Sequence, residues 1–163
     1  MSIDSGETMV DKKFIERLLY SEEIDESERI AEIKKINDSK LLFMFVSDYN
    51  WDDGFKIPFE IINNPNCDMS TALLLFELSC GYEFFEIGLG YRTINQEEYL
   101  NVFFDSELIK FVLETYSRIV KNDFKTAQTE YIPELAKSKV QIYKLKKIFT
   151  EIPEIFINGI KKP

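Results

Sequence analysis

The segment that decides the fold is MSTALLLFEL at positions 69–78, which directly follows Asp68. Aspartate is a preferred residue before a helix, because its carboxylate accepts a hydrogen bond from a backbone N–H of the first turn. Gly81 follows the segment and is typical of a helix stop. The apolar residues of the segment point in nearly every direction around a helix, which is typical of a helix packed on several sides. The sequence therefore predicts a buried, central helix at this position.

Helical periodicity continues on the N-terminal side of this segment. We expect helices at about Met9–Tyr20 and about Glu26–Ile36, with Ser27 as the N-cap of the second. Pro58 fits the first turn of a further short helix, because its missing N–H has no partner there in any case. That helix must end near Pro65, since residues that precede proline avoid the α region.

The six apolar residues from Leu41 to Val46 are ambiguous, because periodicity does not separate a buried strand from a buried helix at this length. Asp38 and Ser39 are both good N-caps, and neither glycine nor proline interrupts the run. We therefore favour a helix.

On the C-terminal side, residues 82–94 combine glycines with aromatic side chains and predict an irregular loop. A long helical region begins at residue 95 or 96 and reaches about residue 122, with a break near Asp105. Pro133 opens a last long helix to about residue 149, and Pro153 permits only a short further turn.

The predicted elements place the chain in the all-α class. Its 163 residues contain 45% hydrophobic side chains, enough for one domain with a hydrophobic core. No fixed repeat and no linker rich in Gly, Pro or Ser divides it. We predict a single compact bundle of roughly six to eight helices over residues 1–163, with a loose N-terminus at 1–8 and a C-terminal tail at 150–163.

The charge is acidic and uneven. Residues 1–120 carry a net charge of −13 (24 acidic and 11 basic groups), whereas residues 121–163 carry +4 (5 acidic and 9 basic groups). Within 48–107, 12 acidic groups face only Lys56 and Arg92. Because negative charge repels phosphate and attracts cations, we expect no nucleic-acid binding over the acidic body and an affinity for a basic protein.

The chain contains no histidine, which excludes Ser-His-Asp and Cys-His catalysis and most zinc and iron sites. Cys67 and Cys80 form no C-x-x-C pair, and we expect two reduced thiols in buried positions. No apolar stretch reaches the roughly 20 residues of a membrane span, and no export signal is evident at the N-terminus. We therefore expect a cytoplasmic protein without catalytic residues, metal or cofactor.

The turn DYNWDDG at positions 48–54 is the main candidate site. Its carboxylates, with Asp68 nearby, are oxygen ligands of the kind that Ca²⁺ takes, but a calcium loop needs a glutamate at its twelfth position, where this chain has Phe59. The tryptophan either anchors the turn in the core or is an exposed anchor for a partner. We predict partner binding by Asp48, Trp51, Asp52, Asp53 and Glu60.

Two neighbouring motifs resemble the DUF4274 family. The first is YNWDDGFKIP at 49–58, which has the family's Trp-Asp-x-Gly turn and its short helix led by proline. The second is NPNCD at 64–68 with Thr-Ala-Leu at 71–73, so the resemblance covers about Tyr49–Leu73. The family is named for unknown function, and the resemblance therefore implies no catalytic residue. It implies a bacterial, cytoplasmic protein and, for some members, a role as immunity proteins beside toxin genes.

These observations predict a non-enzymatic, cytoplasmic protein-binding module, with an immunity protein that masks a basic toxin as the specific case. The alternative is a structural or regulatory helical domain that forms a homo-oligomer, such as a homodimer, through the aromatic residues at 82–91.

Overall fold

The computed structural model describes residues 9–87, 105–134 and 152–161, and the regular secondary structure of these residues is helical. Within these residues there are eight α-helices, one 3₁₀ turn and no strand, which confirms the predicted all-α class. The helices are α1 (Met9–Tyr20), α2 (Glu26–Lys35), α3 (Ser39–Ser47), α4 (Lys56–Asn63), α5 (Met69–Leu78), α6 (Gly81–Ile87), α7 (Ser106–Val120) and α8 (Ile155–Asn158), and the 3₁₀ turn is Trp51–Asp53.

Helices α1 to α3 begin close to the predicted positions, and α2 and α3 begin at aspartate caps. Asp25, and not Ser27, caps α2, because its Oδ1 accepts a hydrogen bond from the Glu28 N–H at 2.8 Å. Asp38 caps α3 by accepting from the Lys40 N–H at 2.9 Å. The ambiguous apolar run at 41–46 lies inside α3, so the preferred helical interpretation is confirmed.

Helix α5 is the centre of the molecule, as predicted. All residues from Met69 to Phe76 are buried, and α3 and α7 pack against the helix from different sides. Its cap is Asp68, which is itself fully buried and accepts hydrogen bonds from the Thr71 N–H at 2.9 Å and the Thr71 hydroxyl at 2.8 Å.

The end of α5 differs from the prediction. Cys80, and not Gly81, adopts the left-handed backbone conformation after the helix, with φ of 61°. Gly81 instead begins α6, where a Cβ atom would overlap the carbonyl oxygen and ring of Phe76. The glycine is therefore needed for the close approach of two helices, and Cys80 is exposed where burial was expected.

The predicted irregular loop is wrong for residues 82–87, which belong to α6. The reason is burial: Phe84 and Phe85 both point into the core, and the Tyr82 hydroxyl donates a hydrogen bond to the Phe156 carbonyl at 2.9 Å. A helical turn directs these two neighbouring side chains towards the same core, whereas a strand would direct them to opposite faces.

An aromatic cluster joins four helices around Phe76. Its ring centroid lies 5.6 Å from that of Tyr82, 5.5 Å from Phe85, 6.2 Å from Tyr116 and 4.8 Å from Phe156. Because these residues come from α5, α6, α7 and α8, the cluster (called the Phe76 cluster below) ties distant parts of the chain into one core.

The later part of the predicted helical region is present as α7, which Asp105 caps by accepting a hydrogen bond from the Leu108 N–H at 2.8 Å. After α7 an extended segment forms two isolated β-bridges, a parallel one between Asp68 and Lys125 and an antiparallel one between Tyr131 and Ile160. These bridges fasten the segment to the start of α5 and to the end of α8.

The short turn expected after Pro153 is present as α8. The predictions for residues 1–8, 88–104, 135–151 and 162–163, including most of the last long helix, lie outside the described residues. Among the described helices, none has the length and hydropathy of a membrane span.

Candidate functional site

The acidic turn between α3 and α4 is closed by its own side chains. The Asn50 amide oxygen accepts from the Asp52 N–H at 3.3 Å, while its nitrogen donates to Asp53 Oδ1 at 3.1 Å. The Tyr49 hydroxyl donates to the Gly54 carbonyl at 2.9 Å. Gly54 has φ of 84°, a conformation that side chains with a Cβ rarely adopt, so glycine is required where the turn ends.

The structure brings together three of the four carboxylates predicted to bind a partner. Asp48, Asp52 and Asp53 are exposed, and no ion pair between described residues involves them. Glu60 instead lies on α4, where its carboxylate is 3.3 Å from the Lys34 ammonium of α2. The three aspartates of the acidic turn are therefore in no ion pair within the described part of the chain, whereas Glu60 joins two helices.

Trp51 is partly buried and anchors the turn in the core, which is the first of the two roles considered for it. Its ring centroid lies 5.6 Å from Tyr49, 5.9 Å from Phe55 and 6.2 Å from Phe111. The indole Nε1 is enclosed and has no hydrogen-bond acceptor among the described residues. The ring therefore packs the turn against α7, and its role as an anchor for a partner stays a prediction.

A small cavity of about 230 Å³ lies behind the acidic turn. Its lining residues come from three parts of the chain and are Leu19, Tyr20, Arg29, Phe45, Asp48, Tyr49, Asn50 and Asp53. Sequence reasoning missed the contributions of Tyr20 and Arg29, because no local motif marks them and only the packing of α1 and α2 brings them to the turn.

The same packing brings the end of α1 to the acidic turn, because Tyr20 lines the cavity together with Asp48 and Asp53. The exposed Glu22 and Glu23 follow Tyr20 in the link to α2. We call Asp48, Asp52 and Asp53 together the acidic face.

The arrangement does not favour a metal ion. Within 9–87, 105–134 and 152–161, no three carboxylate or thiol groups converge closely enough to hold one. Asp68, which the sequence suggested as a possible further oxygen ligand, is buried at the start of α5, where its Oδ2 also accepts from the Gln128 N–H at 2.8 Å.

The two cysteines are free thiols with different exposure. Cys67 is buried, as predicted, and burial followed by the nearby Asp68 carboxylate raises the pKa of its thiol. Cys80 is exposed, although partial burial and then Glu83 raise the pKa of its thiol as well. A reagent in solution therefore reaches Cys80 but not Cys67.

We expect a chromogenic disulfide reagent to modify one thiol of the native protein and the second only after unfolding, because the thiolate must be both formed and accessible. The rate at Cys80 should increase with pH, since its raised pKa keeps it protonated at neutral pH. A Cys80→Ser variant is the control and should show no reaction while folded. Two equally fast thiols in the wild-type protein would contradict the burial of Cys67.

Comparison with known proteins identifies one segment of the chain. No curated protein and no solved structure matches the chain. The model of the DUF4274 family, described as a domain of unknown function, matches residues 37–103. This segment contains α3, the acidic turn and α4 to α6. The match confirms the resemblance to DUF4274 that the two sequence motifs indicated.

Proposed function

We propose that the protein is a non-enzymatic, cytoplasmic protein-binding module that uses its acidic face to capture a basic protein, as an immunity protein does when it masks a toxin. The observation that carries the proposal is the grouping of exposed carboxylates around one partly buried tryptophan. Carboxylates that elsewhere contact lysines, such as Glu26 with Lys56 at 2.7 Å, are not available to a partner in the same way.

Electrostatics supports a basic partner. Because Asp48, Asp52 and Asp53 make no ion pair with described residues, their field extends into solvent. Fields of this kind steer oppositely charged proteins into encounter and increase the association rate, and salt screens them within about 10 Å at 0.1 M ionic strength.

Aromatic side chains supply the second part of a binding surface. Trp51 is held in place by Phe55 and Phe111, and Tyr20 is 66% exposed at the edge of the acidic face. Tryptophan and tyrosine are enriched among the residues that carry most of the binding energy of interfaces, because they bury large areas at low cost in conformational entropy.

The test is the association of the purified protein with a purified basic protein that copurifies with it. We expect the association rate to fall by roughly tenfold or more between low and physiological salt, because steering is screened. A variant with Asp48, Asp52 and Asp53 all changed to Asn should associate at the slow, salt-independent rate. The control changes Glu107 and Glu114 of α7 to Gln and should retain the wild-type rate.

Two results would contradict the proposal: no basic protein that binds with defined stoichiometry, or an association rate that the triple Asn variant leaves unchanged. The homo-oligomeric alternative stays a prediction that sedimentation tests. Two of the aromatic residues proposed as its contacts, Phe84 and Phe85, are buried in the protein's own core and do not face a second copy of the chain.

A further inference from the structure

The cavity behind the acidic turn has the dimensions of a site for a very small molecule. It measures about 230 Å³ and is lined by residues from the end of α1, from α2, from α3 and from the turn after α3. Pockets for drug-sized ligands measure roughly 300 to 1,000 Å³. An occupant of this cavity is therefore of the size of a single amino acid and not of a nucleotide or a peptide.

Arg29 supplies positive charge to the lining of the cavity. No ion pair among the described residues involves this arginine. Because guanidinium is matched in geometry to carboxylate, an arginine without an ion-pair partner favours a ligand with a carboxylate group.

The lining also carries negative charge. Asp48 and Asp53 both line the cavity, and Asp48 is the C-cap of α3, while Leu19 and Tyr20 are the last residues of α1. Two helix C-termini therefore meet at the cavity, and the partial negative charge of a helix C-terminus favours a cation. These residues favour a ligand with an ammonium group.

Tyr49 lines the cavity together with Arg29, Asp48 and Asp53. Burial is the main cause that raises the pKa of Tyr49 to about 12, the Asp53 carboxylate raises it further, and Arg29 acts in the opposite direction. Both charged residues are thus close enough to the same hydroxyl to influence it. A single small molecule that contacts Tyr49 is within reach of both.

We propose that this cavity binds a free α-amino acid, with the ligand's carboxylate on Arg29 and its ammonium group on Asp48 and Asp53. The pairing gives Arg29 and the two aspartates partners of opposite charge, which no ion pair among the described residues supplies. The inference goes beyond the proposed function, because it requires no protein partner, and its test uses the purified chain alone.

The experiment titrates each of the twenty standard L-amino acids separately into the full-length protein, with calorimetry and with the fluorescence of Trp51, the only tryptophan. The Trp51 ring lies 5.6 Å from that of Tyr49, so occupation of the cavity should change its emission. We expect at least one amino acid to bind saturably with one site per chain. Its decarboxylated amine and its deaminated acid should each bind at least roughly tenfold more weakly, since each lacks one charged contact.

Variants test whether the binding occurs in this cavity. Arg29→Gln and Asp53→Asn should each weaken binding by roughly tenfold or more, and Arg29→Lys should not restore it, because lysine lacks the planar guanidinium that pairs with a carboxylate through two parallel hydrogen bonds. Lys121→Gln and Glu107→Gln, at exposed positions at the two ends of α7, are the matched controls and should bind as the wild type does. Unchanged thermal unfolding of Arg29→Lys shows that the variant is folded.

The proposal is overturned if none of the twenty amino acids binds saturably. It is also overturned if the decarboxylated amine binds as tightly as the amino acid, because the cavity then takes a cation alone, such as a basic side chain of a protein partner. Loss of partner capture with amino-acid binding intact would instead contradict only the proposed function.

Discussion

Replacement of Phe76 by alanine is expected to lower the free energy of unfolding by about 4 kcal/mol, which is in the range found for buried phenylalanines. Phe76 is fully buried on the central helix, and its ring contacts four other aromatic rings. Truncation leaves a cavity whose walls belong to four different helices. These helices cannot all move inward together, so little of the lost contact is recovered.

Equilibrium unfolding in urea measures this change. The control is Phe59→Ala, because Phe59 is only partly buried and its ring packs edge-on against Phe111 with centroids 5.1 Å apart. We expect the control to cost clearly less than Phe76→Ala. Equal losses for the two variants would show that the Phe76 cluster is not the centre of the core.

The second large effect is expected at Asp68. Asp68→Ala should lower the free energy of unfolding by roughly 3 kcal/mol, because the change removes an N-cap and leaves several buried donors without acceptors. The carboxylate receives hydrogen bonds from the Thr71 N–H, the Thr71 hydroxyl and the Gln128 N–H. It thus caps α5 and also holds the extended segment that follows α7.

The matched control is Asp105→Ala, which removes the same type of cap at the exposed start of α7. We expect a loss of about 1 kcal/mol there, the usual value for an N-cap. Asp68→Asn separates the two roles of Asp68. The amide oxygen of asparagine still accepts from Thr71, but the amide nitrogen is a donor and faces the Gln128 N–H, which is also a donor. If the alanine variants at 68 and 105 are equally stable, the bond to Gln128 contributes nothing.

The parts of the fold that depend on local chemistry could be predicted from the sequence. The cap at Asp68 and the apolar residues after it define α5 because both act within one helix. The stop of that helix could not be predicted, since glycine is the usual residue in the left-handed conformation and here Cys80 adopts it. Gly81 is instead fixed by the nearby Phe76, a contact that only the path of α6 creates.

The candidate site also has one part that the sequence predicts and one part that it does not. Asp48, Asp52 and Asp53 are neighbours in sequence and therefore remain neighbours in the structure. Arg29 and Tyr20 reach the same cavity only because α1 and α2 pack beside the turn. A single sequence contains no signal for such an approach, and Glu60 shows the converse, because a carboxylate close to the turn in sequence is used to join α4 to α2.

The Phe76 cluster has a consequence for the order in which the chain is synthesised. Among the described rings, that of Phe156 lies closest to Phe76, but Phe156 follows it by 80 positions. While the ribosome makes those residues, α5 has emerged without this aromatic contact, and exposed apolar surface of this kind favours aggregation of unfinished chains. Any product that terminates before Phe156, including the segment 37–103 by itself, lacks part of the core that the DUF4274 residues need.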